Sequence, residues 1–527
     1  MLLRRVPNLT SGRFLNSRRT LLVGAGQAAG LIIRMMLDDP NRRGLPVVLV
    51  DDNPKKQGLR IHRVPVRGDR HDIPKLVKQY GIERIIIAIP SINTHDLKSL
   101  LEICMSTQCE VLKSDLTEVM NGSFQASGMV IPQETEEGLP KVSEETGRIP
   151  VVKLGSVTPE DLLGRDPVEI DNEQAKLHIT GQTVLITGGG GSIGSELCRQ
   201  LIPFKPKHLV IFDIYENTAY ELYYELHHEY PDQDLEIVIG SVRDRRKVEE
   251  TIAYYKPSVV FHAAAHKHVP LMEHDPEEAI KNNIFGTYNV ADLSGQYGIS
   301  RFTLVSTDKA VNPTNVMGAS KRMCELTIIG LCERYPKTIF NAVRFGNVLG
   351  SHGSAFPLFR SQIAMGGPVT VTHPDIERYF MTIPEAARLV IEASTMAEGG
   401  EIYILDMGEP VNIDEMARKM IRLAGFQPEV DIPIEYIGLR PGEKMYEELA
   451  MDEEDLLPTS KKQIMKVKET GISAQELDRR LELLTAALER GDAYVETLQE
   501  VVPTYTPKRS AKGKRVFEAQ GYVEASS

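Results

Sequence analysis

None of the five cysteines in this chain, Cys104, Cys109, Cys198, Cys324 and Cys332, belongs to a C-x-x-C pair or has histidines at zinc spacing. That argues against a structural zinc site and points to a reducing cytoplasm. Positive charge is scarce as well: 61 Lys and Arg against 73 Asp and Glu leave a net charge of −12 and a pI near 5.7. General nucleic-acid binding is disfavoured, since a phosphate backbone needs a basic footprint, and any phosphate must be held by local groups. Long apolar runs are missing too. One stretch, Leu21 to Ile33 behind Arg4, Arg5, Arg13, Arg18 and Arg19, has the outline of a signal peptide. It carries a glycine fingerprint, has no clear cleavage site, falls short of the roughly 20 residues that span a bilayer, and is closed by Arg34. Strand, turn and helix is the better reading.

Hydrophobic residues at 42% and charged residues at 25% are the usage of a soluble globular protein, and 527 residues exceed what one core organises, so two or three domains are expected. Residues 18–135 alternate strand-like and helix-like patterns. Arg19–Val23 leads into Gly24, Gly26 and Gly30, a strand at Pro46–Val50 ends on Asp51 and Asp52, and a helix over Ile73–Tyr80 precedes a strand over Arg84–Ile89. This is a small Rossmann-type unit; its glycines alone leave a ligand site and a structural or regulatory role equally open. Residues 1–17 are a basic segment. Residues 136–182, with Glu136, Glu137, Glu144 and Glu145, read as a linker with docking helices near Pro159–Leu163.

From 183 to 467, apolar runs at Val184–Thr187, His208–Phe212, Leu235–Ile239, Val259–His262, Phe302–Ser306 and Phe340–Val343 alternate with helix-like stretches. A parallel sheet with right-handed crossovers is expected. In 468–502, Ser473 and Glu476 make a capping box, and Leu477, Leu481, Leu484 and Leu488 repeat at helical spacing as a core-packing stripe. Residues 503–527, with Lys508, Arg509, Lys512, Lys514 and Arg515, read as a disordered tail, with affinity for an anionic membrane surface as the sharper alternative.

Thr187-Gly188-Gly-Gly-Gly191-Ser192-Ile193-Gly194 follows a strand and opens a helix, the context a dinucleotide fingerprint requires. Small residues admit the pyrophosphate, the helix start supplies unpaired N–H groups, and Gly194 permits close packing. Asp213, ending the next strand, can accept hydrogen bonds from an adenosine ribose and would repel a 2′-phosphate, so NAD is expected over NADP. Arg243 and Asp244 follow the third strand, where a carboxylate can address the adenine, and Ala263 and Ala264 after the fourth let the cofactor lie close. His262, His266, His268 and His274 lack the carboxylates or cysteines of a metal site, so no metal is expected. Downstream, Ser306-Thr307-Asp308-Lys309 precedes Met317-Gly-Ala-Ser-Lys321. Lys321 stands where a lysine meets a nicotinamide ribose, and Asp308 with Lys309 can supply one proton and remove another.

These stretches occur in order with His262 to Glu273, Asn282-Asn283, Arg344 to Ser351, Arg378 to Ile383 and Arg440-Pro-Gly-Glu443-Lys444. In them the chain resembles the extended short-chain dehydrogenase/reductases, and more closely the nucleotide-sugar 4,6-dehydratases of polysaccharide biosynthesis. Residues 18–135 resemble the extra domain of that family's long branch. The resemblance implies an α/β protein of two Rossmann-type units with parallel sheets, the second an extended dehydrogenase/reductase domain with a small C-terminal substrate-binding subdomain. It implies NAD-dependent dehydration of a UDP-N-acetylhexosamine, UDP-N-acetylglucosamine above all, to a UDP-4-keto-6-deoxy sugar for surface polysaccharide or glycan. Lys309 then matches the C5 base, Asp308 the C6 acid and Thr307 the hydroxyl contact to the C4 oxygen. Lys267 and Asn347 match sugar-nucleotide contacts, Arg440 and Glu443 the diphosphate and ribose end, and Arg378 a phosphate contact. Met317 stands where the superfamily has a tyrosine base, as in the long branch, and methionine cannot transfer a proton. The C4 base is then Asp308 or a water held by Thr307 and Lys321.

Two other readings compete. A nucleotide-sugar epimerase needs the tyrosine and has no use for the Asp-Lys pair; a non-catalytic NAD sensor or scaffold would be indifferent to Lys309→Ala. The expected partners are a UDP-sugar and further copies of the chain in a homo-oligomer, with no nucleic acid. The long branch carries transmembrane helices before its first Rossmann domain and this sequence shows none, so the expectation is a cytoplasmic protein, with peripheral attachment to the inner membrane face as the alternative.

Overall fold

A computed structural model describes residues 17–38, 44–107, 109–120, 148–156, 161, 163, 172–351, 353–451, 456–467 and 471–508. The first 16 residues of the basic segment, the acidic stretch of the expected linker, most of the segment around Pro159–Leu163 and the tail beyond 508 lie outside the described residues. The chain divides into two compact units.

The first is built on a sheet whose strands run in the order Gly44–Val50, Arg18–Val23, Arg84–Ile87, Glu110–Met120 and Arg148–Ser156. The first four are parallel and the last antiparallel. Leu22, Leu49 and Ile86 from these strands bury against Ile32 and Ile33 of the helix Gln27–Asp38, which is the half-Rossmann arrangement expected. The strand Arg148–Ser156 corrects the linker expectation. Pro150 interrupts its pattern in the sequence, yet the strand lies at the edge of the sheet, where a missing N–H costs no ladder bond.

The second unit is a nine-stranded sheet in the order Leu235–Ile239, His208–Asp213, Thr183–Thr187, Val259–His262, Arg301–Val305, Ile339–Arg344, Glu401–Leu405, Ile464–Val467, Leu456–Pro458. The first seven are parallel and the last two antiparallel. The strands read from the sequence are all present, with bounds shifted by at most one residue. The unit also takes in the helix Asn172–Ile179, which the linker reading missed. Only Ala175 and Ile179 of that helix reach the core, too few to register as a period. Strand order reverses between Thr183–Thr187 and Val259–His262, and ligands of open α/β sheets bind beyond the carboxyl ends of the strands at that point.

The helix Val316–Arg334 is buried from Val316 through Leu331. Its outer side is covered by the helices Ala474–Arg490 and Tyr494–Val501, whose Leu477, Leu481, Leu484, Leu498 and Val501 share one core with Met323 and Leu326. The leucine stripe thus packs inward, each side chain contributing about 1.5–3 kcal/mol of burial. Ser473 caps the first of these helices by accepting from the Glu476 N–H. Among the described residues no helix is long and apolar enough to cross a membrane. The short strand pairs Asn347–Val348 with Phe380–Met381 and Glu377–Arg378 with Val411–Asn412, together with the loop 440–447, form the small subdomain.

Candidate active site

At the switch point, Gly188 adopts φ +71°, which glycine reaches freely, and a Cβ there would lie 2.6 Å from the Ala264 nitrogen. A Cβ on Gly194 would overlap the Gly188 carbonyl oxygen, so the helix start can approach the turn only through glycine. Gly191 is the N-cap of the helix Ser192–Leu201, which has no capping side chain and no acid in its first turn. The positive end of the helix is therefore not neutralised by a capping side chain or an acid of its own and suits an anion. Asp213 Oδ2 accepts from the Gly190 N–H at 2.9 Å and Oδ1 from the Tyr215 N–H at 2.8 Å. The carboxylate braces the turn, and each oxygen retains a lone pair for a ribose hydroxyl. The glycine cradle, uncapped helix and carboxylate fit a dinucleotide. Arg243 is paired with Glu278 at 2.7 Å, and Asp244 caps the helix Arg245–Tyr255 by accepting from the Lys247 N–H. Arg243 is thus held by an ion pair, while Asp244, like Asp213, keeps acceptor capacity beside its backbone bond.

The strand Arg301–Val305 continues into a turn still laddered to its neighbour: the Ser306 N–H bonds Val343 O at 2.8 Å and the Asp308 N–H bonds Phe345 O at 3.0 Å. Thr307 caps the short helical turn Asp308–Ala310 and donates through Oγ1 to Asp308 Oδ1 at 2.9 Å. Asp308 is wholly buried. Lys309 Nζ lies 3.0 Å from Asp308 Oδ1 and 3.2 Å from Asn347 Oδ1. Burial pulls the Lys309 ammonium toward losing its proton, but the Asp308 and Glu447 carboxylates outweigh it and hold the group above the usual lysine range. Desolvation and then the Lys309 charge push Lys267 below its ordinary value, so a second amine belongs to the same cleft. Lys321 is buried and donates to Val305 O at 2.8 Å, at the same strand end. Met317 packs into the core at 3% exposure. Gly318 follows it because a Cβ there would overlap the Lys309 carbonyl oxygen; the helix start rests directly on the Asp308–Lys309 turn.

The loop 440–447 closes the other side. Gly442 O accepts from Thr314 Oγ1 at 3.0 Å and from Asn315 Nδ2 at 3.2 Å. Glu443 joins two of the expected substrate residues, accepting from the Arg440 N–H at 3.1 Å and from Arg378 at 3.3 Å. Arg378 departs from its expected phosphate role. It is buried, and its guanidinium donates to the carbonyls of Glu377, Met445 and Lys444 as well as to Glu443, so it fastens the loop. Arg440 Nε, by contrast, is a buried donor with no hydrogen bond to protein, as a diphosphate contact requires.

Residues 184–469 match the family described as polysaccharide biosynthesis protein, and residues 2–114 match the CoA-binding domain family. The chain belongs to the polysaccharide biosynthesis protein family. It is 47% identical over 435 residues to the capsular polysaccharide biosynthesis protein CapD of Staphylococcus aureus, a match covering 82% of this chain and 68% of CapD. Two shorter matches name activities. A UDP-glucose 4-epimerase of Rickettsia rickettsii is 33% identical over 279 residues, 52% of this chain and 79% of that protein. A UDP-N-acetylglucosamine 4,6-dehydratase (inverting) of Campylobacter jejuni is 32% identical over 271 residues, 51% of this chain and 77% of that protein.

Asn283 and His262, which the sequence places in the matching stretches without a role of their own, shape the site in this family member. Asn283, in a π-helical turn at Ile280–Phe285, clamps the His266 backbone through both its N–H at 2.8 Å and its C=O at 3.0 Å, and bonds Ser320 Oγ at 2.9 Å beside Lys321. His262 bridges Thr187 Oγ1 at 2.6 Å and Thr287 Oγ1 at 3.0 Å. Burial, with Lys321 nearby, pushes its pKa down to about 3, so it is a neutral spacer between strand and helix. Among the described residues no group of three or more His, Cys, Asp or Glu is placed to hold a metal. Glu447 was also passed over; the motif that gave Arg440 and Glu443 was followed only as far as Lys444. Gly194→Ala is expected to weaken dinucleotide binding by about tenfold or more with the fold retained, measured by calorimetry alongside circular dichroism, because the pyrophosphate must then leave the helix start. Unchanged affinity would remove the cofactor from this turn.

Proposed function

We propose that the chain is an NAD-dependent hydro-lyase that converts a UDP-N-acetylhexosamine, UDP-N-acetylglucosamine first among them, to the UDP-4-keto-6-deoxy sugar. The observation that carries this reading is the buried Asp308 carboxylate 3.0 Å from the Lys309 amine, at the strand end where Lys321 also terminates. A hydride transfer alone has no use for such a pair. The fit of the Gly188–Gly194 turn and Asp213 to a dinucleotide supports the cofactor, and the family and its Campylobacter relative support the substrate class.

When bound, the nicotinamide would supply a two-electron oxidation at C4 and return the same two electrons as hydride at C6, leaving C4 a ketone. The chain's own groups handle protons. The Thr307 hydroxyl orients the C4 oxygen, and Asp308 takes the C4 hydroxyl proton, because Met317 cannot. The ketone acidifies C5–H, and Lys309, in the fraction of molecules that carry it as the free amine against its raised proton affinity, takes that proton. Asp308 passes its proton to the C6 hydroxyl, which departs as water, and Lys309 returns its proton to C5. Each group ends as it began. Lys267 and Asn347 contact the sugar nucleotide and Arg440 the diphosphate.

Incubation with UDP-N-acetylglucosamine and mass spectrometry of the product tests this. A product lighter by one water is expected. An isomer of unchanged mass would replace the reading with epimerisation, and cofactor binding without turnover would replace it with a sensor or scaffold.

A further inference from the structure

Glu447 stands where the site's acid–base chemistry is decided, on a different element from Asp308 and Lys309. It is 8% exposed and its Oε1 lies 4.0 Å from Lys309 Nζ, the same ammonium that meets Asp308 at 3.0 Å. Two side-chain oxygens around this amine are buried without a hydrogen bond to protein, Asp308 Oδ2 and Glu447 Oε2. A buried acceptor left unbonded costs about 1–3 kcal/mol unless a ligand or solvent uses it. The loop holds Glu447 there through Arg378, whose Nε is 3.9 Å from Oε1 and whose other donors are committed to backbone carbonyls and Glu443.

We propose that Glu447 is a positioning residue that, with Asp308, puts the Lys309 amine within reach of two carboxylates and makes it a stronger base toward C5–H. This rests on the dehydration reading above. The charged groups that face Lys309 are Asp308 from its own turn, Glu447 from the loop, Arg378 from the short strand pair and Lys267 from the loop after Val259–His262; burial raises the proton affinity of Glu447 itself, against the opposing pull of Lys309, Arg378 and Lys444. Of these only the two carboxylates favour the ammonium. Removing one leaves Arg378 and Lys267 less opposed, so the amine binds its proton more weakly. The direction agrees with the raised proton affinity of Lys309, to which Glu447 contributes.

Glu447→Gln keeps the shape and removes the charge. Two readouts follow the Lys309 proton in the full chain. One is the pH dependence of C5 deuterium incorporation into product. The other needs no turnover: the pH dependence of Lys309 acylation by an amine-reactive ester, read by peptide mass spectrometry. Both transitions are expected to move to lower pH by about one unit in Glu447→Gln, and Glu447→Asp, which retains the charge, is expected to move them by less. A uniform loss of rate at every pH with both transitions unmoved would overturn the proposal, as would an equal shift in Glu447→Asp. If the wild type releases no water from the sugar nucleotide, the functional reading fails, while the acylation titration still decides whether Glu447 governs the Lys309 proton.

Discussion

Lys309→Ala is expected to lower the rate of dehydration by about 10²–10⁴-fold, the usual range for a positioned acid or base, and to abolish incorporation of solvent deuterium at C5. The amine is held at 3.0 Å from Asp308 and 3.2 Å from Asn347, so no neighbouring lysine can substitute without rebuilding the turn. Lys321 is fixed to Val305 O by its own bond, and Lys267 stands on a separate loop. Asp308→Asn is expected to fall by a similar factor through the C6 departure step, with the ion pair also lost. The decisive measurement is the comparison of product formation with deuterium content by mass spectrometry and NMR. Normal formation of the 4-keto product by Asp308→Asn would show that another group takes the C4 proton.

Glu325→Ala is expected to cost about 3–5 kcal/mol of stability, the penalty for stranding buried charge. Glu325 and Arg344 are both fully buried and bond through Nε–Oε1 and NH2–Oε2, each at 2.8 Å. Arg322 adds a 3.0 Å contact and Ser306 Oγ donates to Oε1 at 2.7 Å. Removing the carboxylate leaves two buried guanidinium groups without their shared counter-ion. Despite desolvation, the Arg344 and Arg322 charges hold the Glu325 pKa down to about 2, below its ordinary 4.5. Its folded-state pKa is therefore lower than its unfolded one. The contribution is complete above the ordinary carboxylate range and is lost as pH falls from about 4.5 toward 2. Urea denaturation at neutral pH and again near pH 3 measures both points: the gap between wild type and Glu325→Ala should narrow at the lower pH. Because Ser306 adjoins Thr307, the same network fixes the root of the turn that carries Asp308 and Lys309. An unchanged unfolding midpoint at neutral pH would show that the pair is not a structural tie.

Local signals were legible where chemistry and backbone conformation coincide. Gly188 and Gly194 had to be glycines because of close backbone approach, so their spacing carried the fold and the cofactor turn together. Asp308 and Lys309 are adjacent in sequence, and their pairing could be read directly. Arg378 could not: an arginine in a motif looks the same whether its guanidinium meets phosphate or four oxygens of its own protein. The strand Arg148–Ser156 was hidden because an edge strand needs only one ladder partner and tolerates a proline, so its pattern is weak.

The sequence by itself determined the parallel architecture, the dinucleotide turn and the adjacent carboxyl and amine, since each follows from contacts between residues close along the chain or from a period that one strand or helix must satisfy. Tertiary structure alone decided that Glu447 lies 4.0 Å from Lys309 and that Glu325 joins Arg344 beneath Ser306. Those charges are distant in sequence, and their proton affinities depend on burial and on partners that only the folded chain brings within a few ångströms.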